Sequence, residues 1–125
     1  MLINIDPIIG PEVLHTLRAM GHGDKLILCD SNFPAYSMNS LVHRLDGVDA
    51  ARAAKAILSI FPLDSFVEFP ILRMQIDNKP DELNDVHREM MEVTKSVAGE
   101  NWKIGSIERF KFYEEAKKAF AIITT

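Results

Sequence analysis

The sequence predicts a layered α/β domain with a largely parallel or mixed sheet. Segments with helical periodicity alternate with short apolar runs up to residue 124, which is the pattern of α/β folds. No internal repeat, low-complexity tract or linker interrupts this alternation. A chain of 125 residues is also long enough to bury a substantial core without a disulfide or a metal. We therefore expect residues 1–125 to form a single domain.

The first helix and the first strand flank a glycine-containing turn. Pro11 favours a helix start, because its missing N–H is not needed there, and Gly21 is expected to end the helix. Residues 25–29 form a short apolar run that is typical of a buried strand. The turn between them contains His22 and Asp24.

A second strand and an alanine-rich helix follow in the middle of the chain. Residues 41–45 are predicted to form a short strand. Asp49 is a suitable N-cap for a helix that continues to about Phe61, where Pro62 stops it. The small alanine side chains of this helix would let it lie close to a neighbouring element.

The C-terminal half adds the remaining strands and helices. Residues 67–75 are the next strand candidate, and Pro70 restricts the first part of this segment to an edge or a bulge. A long amphipathic helix is predicted from Pro80 to Gly99. The last predicted elements are a strand over 104–110, a helical turn over 113–118 and a strand over 120–124.

Charge and composition argue against several classes of partner. The chain has 14 Lys and Arg against 18 Asp and Glu, for a formal charge of −4, and its basic residues are scattered, so we expect no nucleic-acid partner. Neither a signal peptide nor a membrane-spanning segment is visible, so we expect no membrane partner. Cys29 has no second cysteine to pair with, which favours a reducing compartment, the cytoplasm.

The candidate acid/base groups lie on either side of the first strand. His22 precedes the strand and Asp30 follows it. An imidazole, with an unperturbed pKa of about 6.5, can accept and donate a proton at physiological pH. The alternative for His22 is a structural bond to the last carbonyls of the preceding helix. Two groups at opposite ends of one strand can meet only if the chain folds back or a second copy contributes.

Metal and nucleotide chemistry have weaker support. His22, Asp24 and Asp30 could ligate a divalent ion, but the four histidines lack the HExxH or HxH spacing that brings two imidazoles together. Gly21 and Gly23 follow a helix and precede a strand, the reverse of a dinucleotide-binding loop. We therefore expect no metal and no cofactor.

A second cluster, at residues 108–114, combines a fixed positive charge with aromatic rings. The guanidinium of Arg109 offers five donors in a rigid fork, and Tyr113 adds a ring with a polar tip. Such a surface suits a sugar, which has apolar C–H faces and a rim of hydroxyl groups. The alternative is a surface arginine on a strand, paired with Glu108 or Glu114.

Five segments carry a resemblance to a known family, in register along almost the whole chain. They are MGHGD at 20–24, DSNFPA at 30–35, LDS at 63–65, ERFKFYE at 108–114 and KAFAI at 118–122. Together they resemble the RbsD/FucU sugar mutarotase and pyranase family, and its L-fucose mutarotase branch in particular. Members of the family usually continue into a Tyr-Gly-Asn segment beyond the final strand, which we expect residues 1–125 to lack.

The resemblance implies both a fold and an activity. It implies a three-layer α/β/α domain and a cofactor-free isomerase that interconverts the α and β anomers of a monosaccharide, with L-fucose as the expected substrate. By position, His22 matches the catalytic histidine, whereas Asp30 and Arg109 match substrate-binding residues. Tyr113 is expected to stack on the sugar. The resemblance also implies a homo-oligomeric ring, often a decamer, with sites between neighbouring subunits.

Other functions remain open at this point. A D-ribose pyranase-type isomerase, a non-catalytic sugar-binding module and a metal-dependent enzyme could each use some of these residues. Asp24 either orients His22 or binds backbone amides in its tight turn, and Asp64 is interpreted as a turn residue.

Overall fold

Helices and strands alternate throughout the part of the chain that the computed structural model describes, residues 1–77 and 79–125. The elements are α1 (Pro11–Ala19), β1 (Leu26–Cys29), α2 (Ala35–Met38), β2 (Val42–Arg44), α3 (Ala50–Leu58), β3 (Ile71–Met74), α4 (Asp85–Ala98), β4 (Ile104–Ile107), α5 (Arg109–Lys118) and β5 (Ala121–Thr124). This order confirms the predicted α/β class. Within the described ranges, no helix is both long enough and apolar enough to cross a bilayer.

The strands form two parallel sheets rather than one. The larger sheet has the order β1-β5-β2, and the smaller one pairs β3 with β4. Leu26 of β1 lies opposite Ala121 of β5, and Cys29 lies opposite Thr124, so the two strands run in step over their whole length. Ile122 and Ile123 at the centre of β5 are 0% exposed.

Two apolar clusters cover the opposite faces of the larger sheet. Ile123 packs in a cluster with buried residues of α1 and α3, among them Val13 and Ala53. Its neighbour Ile122 packs in the other cluster, with Ala35 of α2 and Ala116 of α5. Successive side chains of a strand point to opposite faces, so adjacent residues serve both clusters. The predicted three-layer arrangement is confirmed for this sheet.

The alanine-rich helix is capped and packed as predicted. The Asp49 side chain accepts the Arg52 N–H at 2.7 Å and begins α3. The helix ends at Leu58, earlier than the predicted Phe61. Its small side chains let it pack against α4.

The predicted start of the long helix at Pro80 is wrong. Helix α4 begins at Asp85, because Asn84 and His87 form a reciprocal capping box. The Asn84 side chain accepts the His87 N–H at 2.8 Å, and His87 Nδ1 accepts the Asn84 N–H at 3.3 Å. The strand predicted over 67–75 is likewise shorter, since β3 begins only after Pro70.

The predicted strand over 104–110 and the helical turn over 113–118 also need correction. The Glu108 side chain accepts the N–H groups of Phe110 and Lys111 at 3.0 and 3.1 Å, and this cap opens α5 at Arg109. Strand β4 therefore ends at Ile107. Arg109 lies in the first turn of a helix, not on a strand.

Candidate functional site

The His22 ring binds a carboxylate from a distant segment. His22 lies in the turn between α1 and β1, and its Nδ1 is 3.1 Å from Oδ1 of Asp64. The second oxygen of Asp64 accepts the Gly23 N–H at 3.0 Å. The φ angle of Gly23 is 85°, a value that favours glycine at this point of the turn. The His22 side chain is 75% exposed and that of Asp64 21%, so the imidazole is the open member of the pair.

Phe66 completes the surroundings of this pair. Its N–H donates to Oδ1 of Asp64 at 2.9 Å. Its ring meets the His22 ring edge-on, with 4.6 Å between the ring centroids. Hydrogen bonds from the N–H groups of Phe66 and Gly23, together with the nearby imidazole, lower the pKa of the Asp64 carboxyl. Asp64 is therefore an ionised acceptor at neutral pH.

The structure decides between two roles considered for Asp24. Its Oδ2 accepts the Gly21 N–H at 2.8 Å and so holds the backbone of the turn. In the described part of the chain, the hydrogen-bond partner of the His22 ring is Asp64 rather than Asp24 or a carbonyl of α1. Asp64, interpreted from the sequence as a turn residue, is the side chain that reaches the imidazole.

Asp30 lies at the other end of β1 and shapes the loop that follows. Its Oδ1 accepts the N–H groups of Asn32 and Phe33 at 2.9 and 3.1 Å, which turns the chain towards α2. The carboxylate remains exposed.

Aromatic contacts join this loop to α5. The Phe33 ring is edge-on to Phe112 at 5.6 Å and to Tyr113 at 5.4 Å, measured between centroids. The Arg109 guanidinium carbon lies 4.9 Å from the centre of the Phe110 ring and 6.0 Å from that of Tyr113. Asp30, Arg109 and Tyr113 are thus connected through the packing of Phe33.

A cleft opens beside Arg109. It has a volume of about 340 Å³ and is lined by Gln75, Asp77, Glu108, Arg109 and Phe110. Arg109 Nη1 is 3.9 Å from Oδ1 of Asp77, a long contact between two exposed side chains. The predicted alternative of pairing with Glu108 or Glu114 does not hold, because Glu108 caps α5 and Glu114 bonds to Lys117.

A second cleft, with a volume of about 450 Å³, lies along α1. The second cleft is mainly apolar and includes His15 and His43. His43 is half-buried and already engaged, since its Nε2 and Thr16 Oγ1 are 2.7 Å apart. Burial lowers the pKa of His43, which favours the neutral ring.

The predicted site residues fall into two groups at opposite edges of the larger sheet. His22 precedes the first residue of β1 and Asp30 follows the last, and four residues of strand span about 10 Å. The His22 group includes Asp64 and Phe66, whereas the Asp30 group includes Arg109 and Tyr113 through their contacts with Phe33. One copy of the described chain does not bring the two groups together.

Sequence reasoning missed Asp64 and Phe66 as partners of His22. Asp64 is 42 residues from His22 along the chain, so no local spacing could connect them. The only signal was the position of Asp64 within one of the family-like segments. Among the described residues, no group of three or more His, Cys, Asp or Glu side chains is arranged to hold a metal ion.

Fold and site together define a small α/β protein with an exposed imidazole held by a carboxylate and a separate surface on which an arginine lies beside aromatic rings. Comparison with known proteins gives a consistent result. The model of the RbsD / FucU transport protein family matches residues 3–125, and the chain belongs to this family.

Named relatives match nearly the whole chain. An L-fucose mutarotase of Actinobacillus pleuropneumoniae serotype 5b (strain L20) is 41% identical over 127 residues, which cover 100% of this chain and 87% of the relative. The crystal structure of a fucose mutarotase from Streptococcus pneumoniae in complex with L-fucose superposes with a TM-score of 0.89 at 34% identity, covering 99% of this chain and 88% of the other. FucU from Bifidobacterium longum gives a TM-score of 0.83 at 38% identity, with 95% and 85% covered.

Proposed function

We propose that this protein is a mutarotase that interconverts the α and β anomers of L-fucose through the open-chain sugar. The observation that carries the proposal is the His22 imidazole, which is 75% exposed and held by a carboxylate. An open, oriented imidazole is the group that general acid/base catalysis requires. Relatives named L-fucose mutarotase, and a fucose mutarotase structure with L-fucose bound, support the choice of sugar.

The reaction needs only proton transfers. A base removes the proton from the anomeric hydroxyl and an acid protonates the ring oxygen, while the bond between C1 and the ring oxygen breaks to give the aldehyde. After rotation about C1–C2, the same oxygen adds to the other face of the aldehyde, and the protons return. No electrons are exchanged. A positioned acid/base group typically accelerates such a step by about 10² to 10⁴, and we assign this role to His22.

We assign sugar binding to the group at the other edge of the sheet. The Asp30 carboxylate can accept hydrogen bonds from sugar hydroxyls, and the Arg109 fork can donate to them. The cleft beside Arg109 supports this role. Tyr113, half-buried below the guanidinium, offers part of an aromatic surface for the C–H face of the sugar.

We further propose that the protein is a homo-oligomer whose sites are shared between neighbouring copies. The separation of His22 from Asp30 and Arg109 within one chain supports a shared site, because a second copy can supply the missing group. Exposed apolar side chains, including Phe66 and Phe110, support extensive contact between copies. A decameric ring is the assembly that the family resemblance implies.

We also propose that residues 1–125 act as one domain in a reducing compartment, the cytoplasm. Cys29 is the one cysteine of the chain and is a free thiol in β1. Burial, reinforced by the neighbouring Asp30 charge, raises the pKa of this thiol to about 12. A thiol of this kind is suited to packing rather than to nucleophilic or metal chemistry.

The catalytic role of His22 can be tested by magnetisation-exchange NMR on L-fucose, D-ribose and D-galactose. We expect rapid exchange between the L-fucose anomers with the wild-type protein and with His15→Ala, a control on the exposed face of α1. We expect His22→Ala to lose the enhancement. Equal exchange by wild type and His22→Ala would contradict the role of His22. A preference for D-ribose would indicate a pyranase-type enzyme, and binding without exchange would indicate a sugar-binding module.

The shared site can be tested by mixing two inactive variants. His22→Ala and Arg109→Ala subunits are each expected to be inactive alone, but co-assembly after unfolding and refolding should restore part of the activity. The restored sites would take His22 from one subunit and Arg109 from its neighbour. Absence of any recovery in verified mixed oligomers would mean that both residues act within one chain.

A further inference from the structure

We infer that Asp64 is the positioning residue for His22, and that its carboxylate keeps a proton on Nδ1 so that Nε2 is the nitrogen that exchanges protons with substrate. The assignment of Nε2 to catalysis rests on the proposed function. The placement of the proton on Nδ1 depends only on the structure and can be measured separately.

The hydrogen bond between His22 and Asp64 determines which ring nitrogen carries the proton. His22 Nδ1 and Asp64 Oδ1 are 3.1 Å apart, within hydrogen-bond distance. An ionised carboxylate can only accept hydrogen bonds, so the bond requires a hydrogen on Nδ1. In a neutral imidazole, the lone pair must then be on Nε2. Asp64 thus selects one of the two neutral tautomers of His22.

Asp64 is itself held in place by backbone donors. Its two oxygens accept the backbone N–H groups of Gly23 and Phe66 at 3.0 and 2.9 Å. These donors favour the ionised carboxylate, which is reflected in its lowered pKa. They also join the turn before β1 to the segment that follows α3. The acceptor that orients the imidazole therefore has little freedom to rotate away.

Part of the His22 imidazole remains open to solvent. Nδ1 is occupied by Asp64, and the Phe66 ring stands nearly perpendicular to the imidazole, at an angle of 84°. The His22 side chain is nevertheless 75% exposed. With Nδ1 engaged, Nε2 is the ring nitrogen that remains available for a proton transfer to or from a bound hydroxyl group.

Asp24 provides a matched control within the same turn. Like Asp64, it accepts a backbone N–H, that of Gly21 at 2.8 Å. Its carboxylate holds the turn without bonding to the imidazole. A variant at Asp24 therefore removes a similar charge and a similar backbone contact, and it leaves the proposed link to Nδ1 in place.

The experiment measures the His22 tautomer directly. In protein labelled with ¹⁵N-histidine at a pH where the ring is neutral, ¹⁵N NMR distinguishes a protonated Nδ1 from a protonated Nε2, and His22→Gln identifies the signals. We expect wild type and Asp24→Asn to carry the proton on Nδ1. In Asp64→Asn, the amide oxygen can retain a backbone bond while the amide NH₂ donates to Nδ1, so we expect the proton to move to Nε2.

Activity measurements complete the test. The reversed tautomer presents a donor where the sugar hydroxyl needs a base, so we expect Asp64→Asn to lower kcat by about 10²-fold, the lower end of what one acid/base group contributes. KM should change little, because the sugar-binding group lies at the other edge of the sheet. Asp64→Glu, which restores a carboxylate, should recover part of kcat and the Nδ1 proton.

The results distinguish the positioning of His22 by Asp64 from the proposed mutarotase function. A wild-type ring protonated on Nε2 would overturn the inference without recourse to any variant, so poor folding of Asp64→Asn would not leave it untested. An unchanged kcat in Asp64→Asn with a reversed tautomer would overturn the catalytic part. If wild type shows the Nδ1 proton but no mutarotation of any sugar, the proposed function fails and the positioning of His22 by Asp64 stands.

Discussion

The Phe33 ring contacts the Tyr113 ring edge to face, with 5.4 Å between their centroids. Phe33 belongs to the loop that Asp30 shapes, and Tyr113 lies one helical turn after Arg109 in α5. The contact therefore sets the spacing between the carboxylate and the guanidinium that we propose bind the sugar. Two parts of the site that are far apart in the sequence depend on one aromatic pair.

Replacement of Phe33 should affect stability and substrate binding together. We expect Phe33→Ala to lower the free energy of unfolding by about 2 kcal/mol, since a half-buried ring and its aromatic contacts are lost. KM should rise while kcat changes less, because His22 lies at the other edge of the sheet. Urea denaturation and mutarotation kinetics measure both effects. Tyr36→Ala, at an exposed ring, is the control and should be nearly neutral.

Substitution of Arg109 by lysine should weaken binding although the charge is retained. Lysine has no planar fork to donate two parallel hydrogen bonds or to stack on Phe110. The loss of one charged hydrogen bond corresponds to about a tenfold rise in KM for L-fucose. Arg44→Lys, at an exposed pair with Asp46, is the matched control. An unchanged KM in Arg109→Lys would remove Arg109 from the sugar site.

The predicted elements show which kinds of signal the sequence contains. The apolar run of β1 and the Asp49 cap of α3 are local patterns, and both were predicted close to their observed places. Helix α2, over Ala35–Met38, is only one turn long and too short to show a periodicity. The start of α5 was missed because the same residues, read as alternating polar and aromatic, also fit a strand.

Local sequence patterns could identify His22 as a candidate, but not its contact with Asp64. His22 could be chosen from its residue type and position, but its contact with Asp64 depends on how α1, β1 and α3 pack. No spacing rule covers a separation of 42 residues along the chain. The sequence does predict that one strand separates His22 from Asp30. In a single chain of the structure, β1 keeps the two residues apart.

Gly105 is expected to tolerate no side chain without a loss of stability. A Cβ at this position of β4 would lie 2.8 Å from both Leu72 Cδ2 and Phe69 Cγ. We expect Gly105→Ala to lower the free energy of unfolding by about 2 kcal/mol through this overpacking. Adding Phe69→Ala should relieve part of the strain, so that the two effects are not additive. Gly10→Ala is the control, because its nearest contact would be 3.6 Å away.

The ion pair between Arg52 and Asp6 predicts a specific loss of stability in acid. The guanidinium donates to both carboxylate oxygens, at 2.6 and 2.8 Å, and with the Ile8 N–H it lowers the pKa of Asp6. A carboxyl with a lowered folded-state pKa stabilises the fold fully above its unfolded pKa of about 3.9. This contribution disappears as the pH falls through the lower, folded value.

Urea denaturation across the acid range tests this prediction. We expect Asp6→Asn to be less stable than wild type at neutral pH, and the difference should shrink as the pH falls below about 4. Asp85→Asn, at an exposed pair with Arg88, should show little difference at either pH. A gap between wild type and Asp6→Asn that stays constant down to the lowest pH would contradict the assignment.

The place of β5 at the centre of the larger sheet has a consequence for biosynthesis. Strands β1 and β2 leave the ribosome long before residues 121–124, yet each pairs only with β5 in the described sheet. Until that segment has cleared the exit tunnel, the nascent chain has no template on which to order them, and their apolar side chains stay open to chaperones. Ordering of β1 and β2 in this sheet therefore has to wait for residues 121–124, and ribosome-stalled chains that end before residue 121 should remain sensitive to protease.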